Sequence, residues 1–435
     1  MSTRGQDCED HRTIETPASE CMDRSSFEPE KGGSLVLRKL TVRDLPLSGK
    51  RVLTRVDFNV PLDKEGNVSD STRIEASLPT IRYMIEKGGR IILMSHLGRP
   101  KGKPVAAMSL APIAKKLGGF LRKDVAFAED CIGEPAKKVA FSMKDGDVAL
   151  LENLRFHPEE EANDEKFSRE LASLGELYVD DAFGSAHRAH ASTVGVTKHI
   201  GLCAAGFLMQ KEVEYLGRIL EEPKRPFVAI FGGAKVSDKI GVVRNLLGKI
   251  DKILIGGGMM FTFLAARGLK VGQSILEPES IPVAKEIMEK AEGMGVALIL
   301  PVDCVVSSSA KETAETKTVP VEQIPEGLAG VDIGPRTIEE FREALADART
   351  VFWNGPMGVF EVEGYGRGTD EVARMIAKAT SSGATTVVGG GDSAAAIAKA
   401  GLEHRVSHVS TGGGASLEFL EGLELPGIAA LTDKR

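Results

Sequence analysis

Four loops in the first half of the chain bring arginine and histidine to the ends of short apolar runs. These loops are Arg55–Pro61, Ser95–Pro100, Glu152–Arg155 and Ala186–His190. Guanidinium groups recognise carboxylates and phosphates through paired N–H donors. A single surface arginine is usually only solvated, but four such loops at one edge of a sheet predict a pocket for a small anion.

Four glycine clusters follow apolar runs in the second half. Glycine between a strand and a helix lets backbone N–H groups approach a phosphate, and the helix N-terminus adds partial positive charge. Backbone geometry alone explains any one such cluster, whereas four in one half favour a site for nucleotide phosphates. The clusters are Gly232-Gly233, Gly256–Gly258, Gly389–Gly391 and Gly412–Gly414.

Charged residues follow two of these clusters. Lys235 and Lys239 lie four residues apart, so a helical turn would place both on one face, where lysine supplies point charge to phosphoryl oxygens. An exposed lysine pair at the start of an ordinary helix is the alternative. Asp392 and Ser393 are interpreted either as helix-capping residues or, for Asp392, as a Mg²⁺ ligand beside nucleotide phosphates.

The elements that position these loops are indicated by the apolar runs. Short, nearly continuous apolar runs that alternate with amphipathic segments are typical of buried parallel strands. We therefore predict an α/β fold with helices on both faces of parallel sheets, in which ligands bind beyond the carboxyl ends of the strands. The runs are Val52–Val56, Ile91–Met94, Val148–Leu151, Leu177–Val179, Phe227–Phe231, Ile253–Ile255, Ala297–Leu300, Val351–Trp353 and Thr385–Val388.

Composition excludes several classes of protein. The chain has 435 residues and a net charge of −7, which argues against a general nucleic-acid binder. The charge-free run Ile253–Ala266 is shorter than the ~20 apolar residues of a spanning helix, so we expect no membrane segment. The five cysteines form no CxxC pair, which supports neither a disulfide framework nor a zinc site and favours a reducing compartment.

Motif searches exclude other chemistries. The sequence has no Walker A loop, no GxSxG elbow and no GxGxxG fingerprint that opens a helix. His96, His187 and His190 lack the spacing of a metal site, and the last two either bind substrate or cap their loop. The pattern is that of a phosphotransferase in which one domain holds an anionic metabolite and the other a nucleotide, with closure excluding water.

At these residues the sequence resembles the phosphoglycerate kinase family, from about Leu35 to Ala430. Eight long motifs occur in order. They are RVDFNVP at 55–61, SHLGRP at 95–100, LLENLRFHPEEE at 150–161, DAFGSAHRAHAST at 181–193, GGAKVSDKI at 232–240, WNGPMGVFE at 353–361, GGGDS at 389–393 and STGGGAS at 410–416.

The resemblance implies a reversible reaction in which 1,3-bisphosphoglycerate and MgADP give 3-phosphoglycerate and MgATP. Arg73 and Lys235 are the implied catalytic residues, and Asp392 is the implied Mg²⁺ ligand. The residues implied for phosphoglycerate binding are Asp57, Asn59, Arg73, His96, Arg99, Arg155 and Arg188. Those implied for nucleotide binding are Lys235, Lys239, Gly330, Asn354, Pro356, Glu361, Gly390, Gly391, Asp392 and Ser393.

We predict two Rossmann-like domains joined by a linker helix and a hinge. Residues 1–34 are expected to be a disordered extension, and a start codon assigned too far upstream explains them equally well. We expect 35–207 to be a phosphoglycerate-binding domain, 208–222 the interdomain helix and 223–417 a nucleotide-binding domain. The resemblance implies that the tail, about 418–435, packs back on the first domain. We expect a cytoplasmic monomer with no nucleic-acid or membrane partner. A kinase for another small carboxylate and a catalytically inactive binding scaffold are the competing hypotheses.

Overall fold

The structure is a computed structural model that describes residues 38–434. The extension predicted for residues 1–34 lies outside the described residues. Strands and helices alternate along the described chain and form two parallel sheets flanked by helices, so the predicted α/β fold is confirmed. No helix within residues 38–434 combines the length and the apolar character needed to cross a membrane.

The elements are numbered in chain order. The strands are β1 (Arg51–Arg55), β2 (Arg90–Met94), β3 (Val125–Ala128), β4 (Val148–Leu151), β5 (Leu177–Asp180), β6 (Cys203–Ala205), β7 (Phe227–Phe231), β8 (Lys252–Ile255), β9 (Ala297–Ile299), β10 (Asp303–Ser307), β11 (Thr316–Pro320), β12 (Ala329–Ile333), β13 (Thr350–Asn354), β14 (Thr385–Gly389) and β15 (His408–Val409). The helices are α1 (Thr72–Glu86), α2 (Ala111–Leu121), α3 (Gly133–Ser142), α4 (Pro158–Glu161), α5 (Glu165–Ala172), α6 (Phe207–Glu221), α7 (Ile240–Leu246), α8 (Met259–Ala266), α9 (Ile281–Gly293), α10 (Pro335–Leu345), α11 (Arg367–Ser381), α12 (Gly391–Lys399), α13 (Gly414–Leu420) and α14 (Pro426–Ala429).

The first sheet has six strands in the order β3-β4-β2-β1-β5-β6, all parallel. The chain starts in the middle at β1, passes through β2 to the edge at β3, comes back to β4 between them, and then crosses to β5 on the other side of β1. The direction of strand addition therefore reverses between β1 and β5. Loops at such a reversal diverge and leave a crevice at the carboxyl edge of the sheet.

The second sheet repeats this arrangement in the order β15-β14-β13-β7-β8-β9. Its strands are also parallel, and the reversal lies between β7 and β13. Both central strands are buried along their whole length, because helices cover both faces of the sheet. This coverage explains why apolar runs located these strands in the sequence.

The apolar runs did not locate every strand. A three-stranded antiparallel sheet in the order β11-β10-β12 was not predicted, and neither were β3, β6 and β15. The first three residues of β11 are exposed, so that strand carries polar residues. The strands β6 and β15 are only three and two residues long. Such segments lack the run of large apolar residues that marks a central strand.

Helix α6 occupies the place of the predicted linker helix and runs from the first sheet toward the second. Its first N–H groups have no partner within the helix, and the buried carboxylate of Asp181 accepts those of Leu208 and Met209 at 2.9 and 3.2 Å. The Thr80 hydroxyl accepts the N–H of Phe207 at 2.9 Å. The start of the helix is therefore fixed to the first sheet.

The end of the described chain also lies against the first sheet. The N–H of Leu40 donates to the carbonyl of Thr432, whose own N–H donates to Cys203 in β6. The ammonium of Lys39, a side chain only 10% exposed, donates to the carbonyls of Ala429 and Leu431 at 2.8 and 2.7 Å. The two ends of the described chain are therefore joined at one sheet edge.

Replacing Lys39 tests how much this contact contributes to stability. Lys39→Met keeps the apolar stem and removes the charged donor, which leaves two carbonyls without it. We expect the free energy of unfolding to fall by about 1.5–3 kcal/mol, measured by urea denaturation. The matched control is Lys270→Met, because Lys270 pairs with Glu326 in solvent and should contribute nothing measurable. Equal shifts in the two variants would contradict the assignment.

Candidate active site

A cavity of about 350 Å³ lies at the reversal point of the first sheet. The loops after β1 and β5 form two of its walls, as the topology requires. All of the residues implied for phosphoglycerate binding line it, although they come from four separate loops and from helix α1. The lining residues are Asp57, Asn59, Arg73, His96, Gly98, Arg99, Arg155, Gly184, Ser185, His187, Arg188 and Gly412–Gly414.

Several cationic side chains of this cavity are held by hydrogen bonds within the protein. The Arg73 guanidinium lies 2.5 Å from the Asp57 carboxylate and is 36% exposed. The Arg155 guanidinium donates to the Gly98 carbonyl at 2.9 Å, and the Gly98 N–H donates to the Asn59 side chain at 2.9 Å. These contacts orient the side chains before any ligand arrives.

His96 is a neutral donor in this cavity. Burial, followed by the charge of Arg55 and other nearby arginines, holds the pKa of His96 well below its usual value. An Arg55 N–H lies 3.1 Å from His96 Nδ1, and a guanidinium can only donate. Nδ1 therefore accepts, and the ring proton resides on Nε2. The sequence predicted the position of His96 but not this tautomer.

Arg55 lies behind the cavity wall and is only 1% exposed. Its Nε donates to the Ser192 hydroxyl at 2.9 Å, and that hydroxyl donates to the buried Glu160 carboxylate at 2.5 Å. Burial raises the pKa of Glu160, while the charge of Arg55 lowers it. Arg55 thus connects three loops from behind and does not itself line the cavity.

The last glycine cluster, Gly412–Gly414, follows β15 of the second sheet but lines this first cavity. The approach is close, because a Cβ on Gly184 would lie 2.8 Å from Asp57 Oδ2 and 3.6 Å from the Thr411 carbonyl. The buried Glu212 of α6 fixes this segment by accepting from the Thr411 N–H at 2.7 Å and pairing with His408 at 2.8 Å.

A second cavity, of about 400 Å³, lies at the reversal point of the second sheet. Of the residues implied for nucleotide binding, Gly330, Pro356, Glu361 and Asp392 line it. Gly233, Gly257 and Gly258 of two predicted glycine clusters form part of its wall. The rest is a largely apolar surface that the sequence did not predict, which includes Ala234, Met260, Phe261, Ile275, Asp332, Met357 and Val359.

Glycines at the second cavity serve close packing of three loops. The N–H groups of Gly232, Gly233 and Gly257 donate to the carbonyls of Asn354, Pro356 and Met357 at 2.9, 2.8 and 3.0 Å. These amides are therefore not available to a phosphate. Close packing of the backbone therefore explains why these positions are glycine. The prediction that their N–H groups bind a phosphate is wrong.

Asn354 and Ser393 lie behind the second cavity and join the loops after β13 and β14. Asn354 Nδ2 donates to the Gly389 carbonyl at 2.7 Å, and the Ser393 hydroxyl accepts from the Gly355 N–H at 2.6 Å. The N-cap position of α12 is Gly390, so the interpretation of Asp392 and Ser393 as its capping residues is wrong.

Asp392 is exposed, lines the cavity, and lies near Lys239. Burial lowers the pKa of Lys239, and the charges of Asp238 and Asp392 raise it. The carboxylate of Asp392 offers the oxygen donors that Mg²⁺ prefers. Lys235 is exposed on the same loop, and neither lysine is among the lining residues.

Glu277, which sequence reasoning missed, fixes the lysine loop. Its carboxylate accepts the N–H groups of Val236 and Ser237 at 2.6 and 3.2 Å and the Ser237 hydroxyl at 2.7 Å. These hydrogen bonds lower the pKa of Glu277, although burial raises it. Glu277 lies about 40 residues beyond the loop, so no local spacing in the sequence indicates the contact.

The family model described as phosphoglycerate kinase matches residues 42–423. The chain belongs to the phosphoglycerate kinase family. It is 57% identical over 397 residues to the phosphoglycerate kinase of Chlorobaculum tepidum and 55% identical over 397 residues to that of Prosthecochloris aestuarii. Each alignment covers 91% of this chain and 100% of the relative.

Solved structures agree with this membership. The phosphoglycerate kinase from Coxiella burnetii is similar with a TM-score of 0.82 and 41% identity, over 91% of this chain and 99% of that one. The phosphoglycerate kinase from Pyrococcus horikoshii is similar with a TM-score of 0.78 and 34% identity, over 90% of this chain and 98% of that one. The resemblance seen in the sequence motifs is confirmed.

Within this phosphoglycerate kinase fold, Asp332 is a buried carboxyl in the wall of the second cavity. It accepts the N–H groups of Ile333 and Gly368 at 2.9 and 2.7 Å. Burial raises the pKa of Asp332 from 3.8 to about 7, although these hydrogen bonds lower it. The folded carboxyl thus keeps its proton to a higher pH than the unfolded chain does.

Asp332 therefore makes stability depend on pH. Between pH 3.8 and about 7 the native state binds more protons than the unfolded state, so its contribution to the free energy of unfolding falls as pH rises. We expect Asp332→Asn to flatten this slope in urea denaturation at several pH values. Glu424→Gln, at an exposed position, should leave the slope unchanged. An unaltered slope in Asp332→Asn would contradict the inferred titration.

Proposed function

We propose that the two cavities are the two halves of one active site for the reaction of the phosphoglycerate kinase family. The first would bind 3-phosphoglycerate or 1,3-bisphosphoglycerate, and the second ADP or ATP with Mg²⁺. The observation that carries this proposal is the convergence of Arg73, Arg99, Arg155 and Arg188 on one cavity. Fixed guanidinium groups suit a metabolite that carries both carboxylate and phosphate.

In the first cavity the side chains would orient the acyl phosphate. Asp57 holds Arg73, Asn59 holds the Gly98 N–H, and neutral His96 offers its Nε2–H to an anionic oxygen. Arg73 would neutralise charge on the transferring group, since it remains partly exposed to the cavity. Because a carboxylate oxygen attacks ATP directly in the reverse direction, the reaction needs no general base.

In the second cavity the apolar wall that includes Phe261 and Ile275 would receive the base, beside Gly330, Pro356 and Glu361. Asp392 would hold Mg²⁺, which when bound neutralises phosphate oxygens. Lys235 and Lys239 would contact the transferring phosphoryl group and the nucleotide phosphates. Gly390 and Gly391 would let the phosphates approach α12, while Asn354 and Ser393 would shape the loop from behind.

We further propose that transfer requires closure of two domains, 35–207 and 223–417, about the helix at 208–222. Phosphoryl transfer depends mainly on positioning and charge neutralisation, so the two substrates must be brought into line and shielded from water. Glu212 lies on that helix and contacts Thr411, next to the glycines of the first cavity. Every residue proposed to bind the two substrates belongs to one chain, so the reaction as proposed requires no second subunit.

Replacing Arg73 tests the catalytic assignment. We expect Arg73→Ala to lower kcat about 1000-fold or more in a coupled assay with 3-phosphoglycerate, ATP and Mg²⁺, because transition-state charge would lose its partner. ATP affinity, measured by calorimetry, should stay unchanged. The control is Arg82→Ala, an exposed arginine on the same helix that donates to the Phe120 carbonyl. Full activity in Arg73→Ala would contradict the catalytic assignment.

The metal assignment is tested at Asp392. Excess EDTA should abolish turnover by the unmodified chain. Asp392→Asn removes one charge from the proposed ligand, so we expect the Mg²⁺ concentration for half-maximal rate to rise roughly tenfold or more. Glu289→Gln, at an exposed acid paired with Lys285, serves as the control. A normal Mg²⁺ dependence in Asp392→Asn would show that other groups hold the ion.

A further inference from the structure

Three side chains of different chemistry meet away from both cavities of the proposed active site. Asp130 and Cys131 lie between β3 and α3, and His157 lies just before α4. One carboxylate oxygen, the thiol sulfur and one ring nitrogen all lie within 4.8 Å of one another. Carboxylate, thiolate and imidazole are the donors that zinc sites use.

The spacing of these atoms suits a small ion. Asp130 Oδ1 lies 2.7 Å from His157 Nε2 and also accepts the Cys131 N–H at 2.6 Å. Zinc binds oxygen and nitrogen at about 2.0–2.2 Å and sulfur at about 2.3 Å. An ion at the centre of the cluster would need only small movements of the side chains. It would replace the hydrogen bond between Asp130 and His157.

The cluster borders an acidic cavity of about 670 Å³. Asp130 and His157 line it together with Glu129 and Glu152. Glu152 is engaged with the Ser109 hydroxyl at 2.7 Å, so it supplies negative charge without being a ligand. The cavity gives a cation access to Asp130 and His157, behind which Cys131 is buried, and leaves room for a water in a fourth coordination position.

The thiol of Cys131 is fully buried. Burial raises its pKa well above the usual value, and the charges of Asp130 and Glu160 raise it further. A borderline-soft cation binds such a side chain as the thiolate, because a coordinating thiol is deprotonated, whereas Mg²⁺ prefers oxygen ligands alone.

We propose that Asp130, Cys131 and His157 form a site for a borderline-soft divalent cation of the Zn²⁺ type. The ligands are Asp130 Oδ1, Cys131 Sγ, His157 Nε2 and one water. Binding releases the thiol proton to solvent and forms a bond between sulfur and the metal without any change of oxidation state.

The bound ion would join the loop after β3 to the segment that carries Arg155 and Glu160. Arg155 lines the first cavity, and Glu160 accepts from Ser192 behind it. The proposed site is therefore separate from the Mg²⁺ position at Asp392 but lies two residues from the anion-binding wall. Its occupancy should raise the thermal stability of the first sheet.

Cobalt(II) tests the site, because a thiolate ligand gives a charge-transfer absorption band in the near ultraviolet. We would titrate the full chain with Co²⁺ in excess Mg²⁺. We expect one Co²⁺ per chain, the thiolate band, its loss on adding Zn²⁺, and a raised Tm. Cys131→Ser and His157→Asn should weaken binding more than about 100-fold, since losing only an outer partner of a ligand costs about 10- to 100-fold.

The matched controls are Cys203→Ser and Cys304→Ser, which remove the other buried free thiols of the described chain and should keep the band. Circular dichroism and kinase turnover without Co²⁺ would show whether each variant folds. If Cys131→Ser does not fold, His157→Asn decides the outcome. Absence of the band in the unmodified chain, or its survival in Cys131→Ser, would overturn the proposal.

Discussion

The buried guanidinium of Arg55 is the group on which the first cavity depends. A positive charge that is only 1% exposed must be matched by hydrogen-bond acceptors. The Ser192 hydroxyl, His96 Nδ1 and the Val56 carbonyl accept its N–H groups, and Glu160 in turn accepts from the Ser192 hydroxyl. In satisfying one buried charge, the protein fixes the loops that carry its exposed cations.

The two cavities follow from topology before any side chain is considered. Each parallel sheet starts in its middle, grows to one edge and then returns, so each has one reversal point with diverging loops. The side chains then make the two crevices different. Arginine and histidine line the first, whereas glycine and apolar residues line the second. The common architecture thereby gives two chemically distinct surfaces.

The sequence predicted the central strands and brought together the residues that line the first cavity, and the strands have a physical reason. Strands covered on both faces must be apolar along their length, as β7 and β13 are. Strands with exposed polar residues, such as β11, contain no apolar run from which they could be predicted. The family resemblance supplied the roles of Arg73 and Asp392, which composition and spacing alone could not assign.

What the sequence could not predict depends on contacts between distant segments. Glu277 holds a loop 40 residues before it, and the N–H groups of Gly232 and Gly257 meet carbonyls more than 90 residues away. The tautomer of His96 depends on Arg55, 41 residues earlier. Asp130 and Cys131 are adjacent in the sequence, but His157 lies 27 residues beyond Asp130, so no spacing in the sequence indicated this cluster.

The contact between Lys39 and the carbonyls near the end of the chain has a consequence for synthesis. The partners lie 390 and 392 residues apart, so Lys39 leaves the ribosome long before Ala429 and Leu431 exist. At about 5–20 residues per second, this interval lasts roughly 20 to 80 s. During that time the second sheet has its complete set of strands before the first sheet has its final edge contacts. The half of the protein that is made first is therefore the half that is finished last.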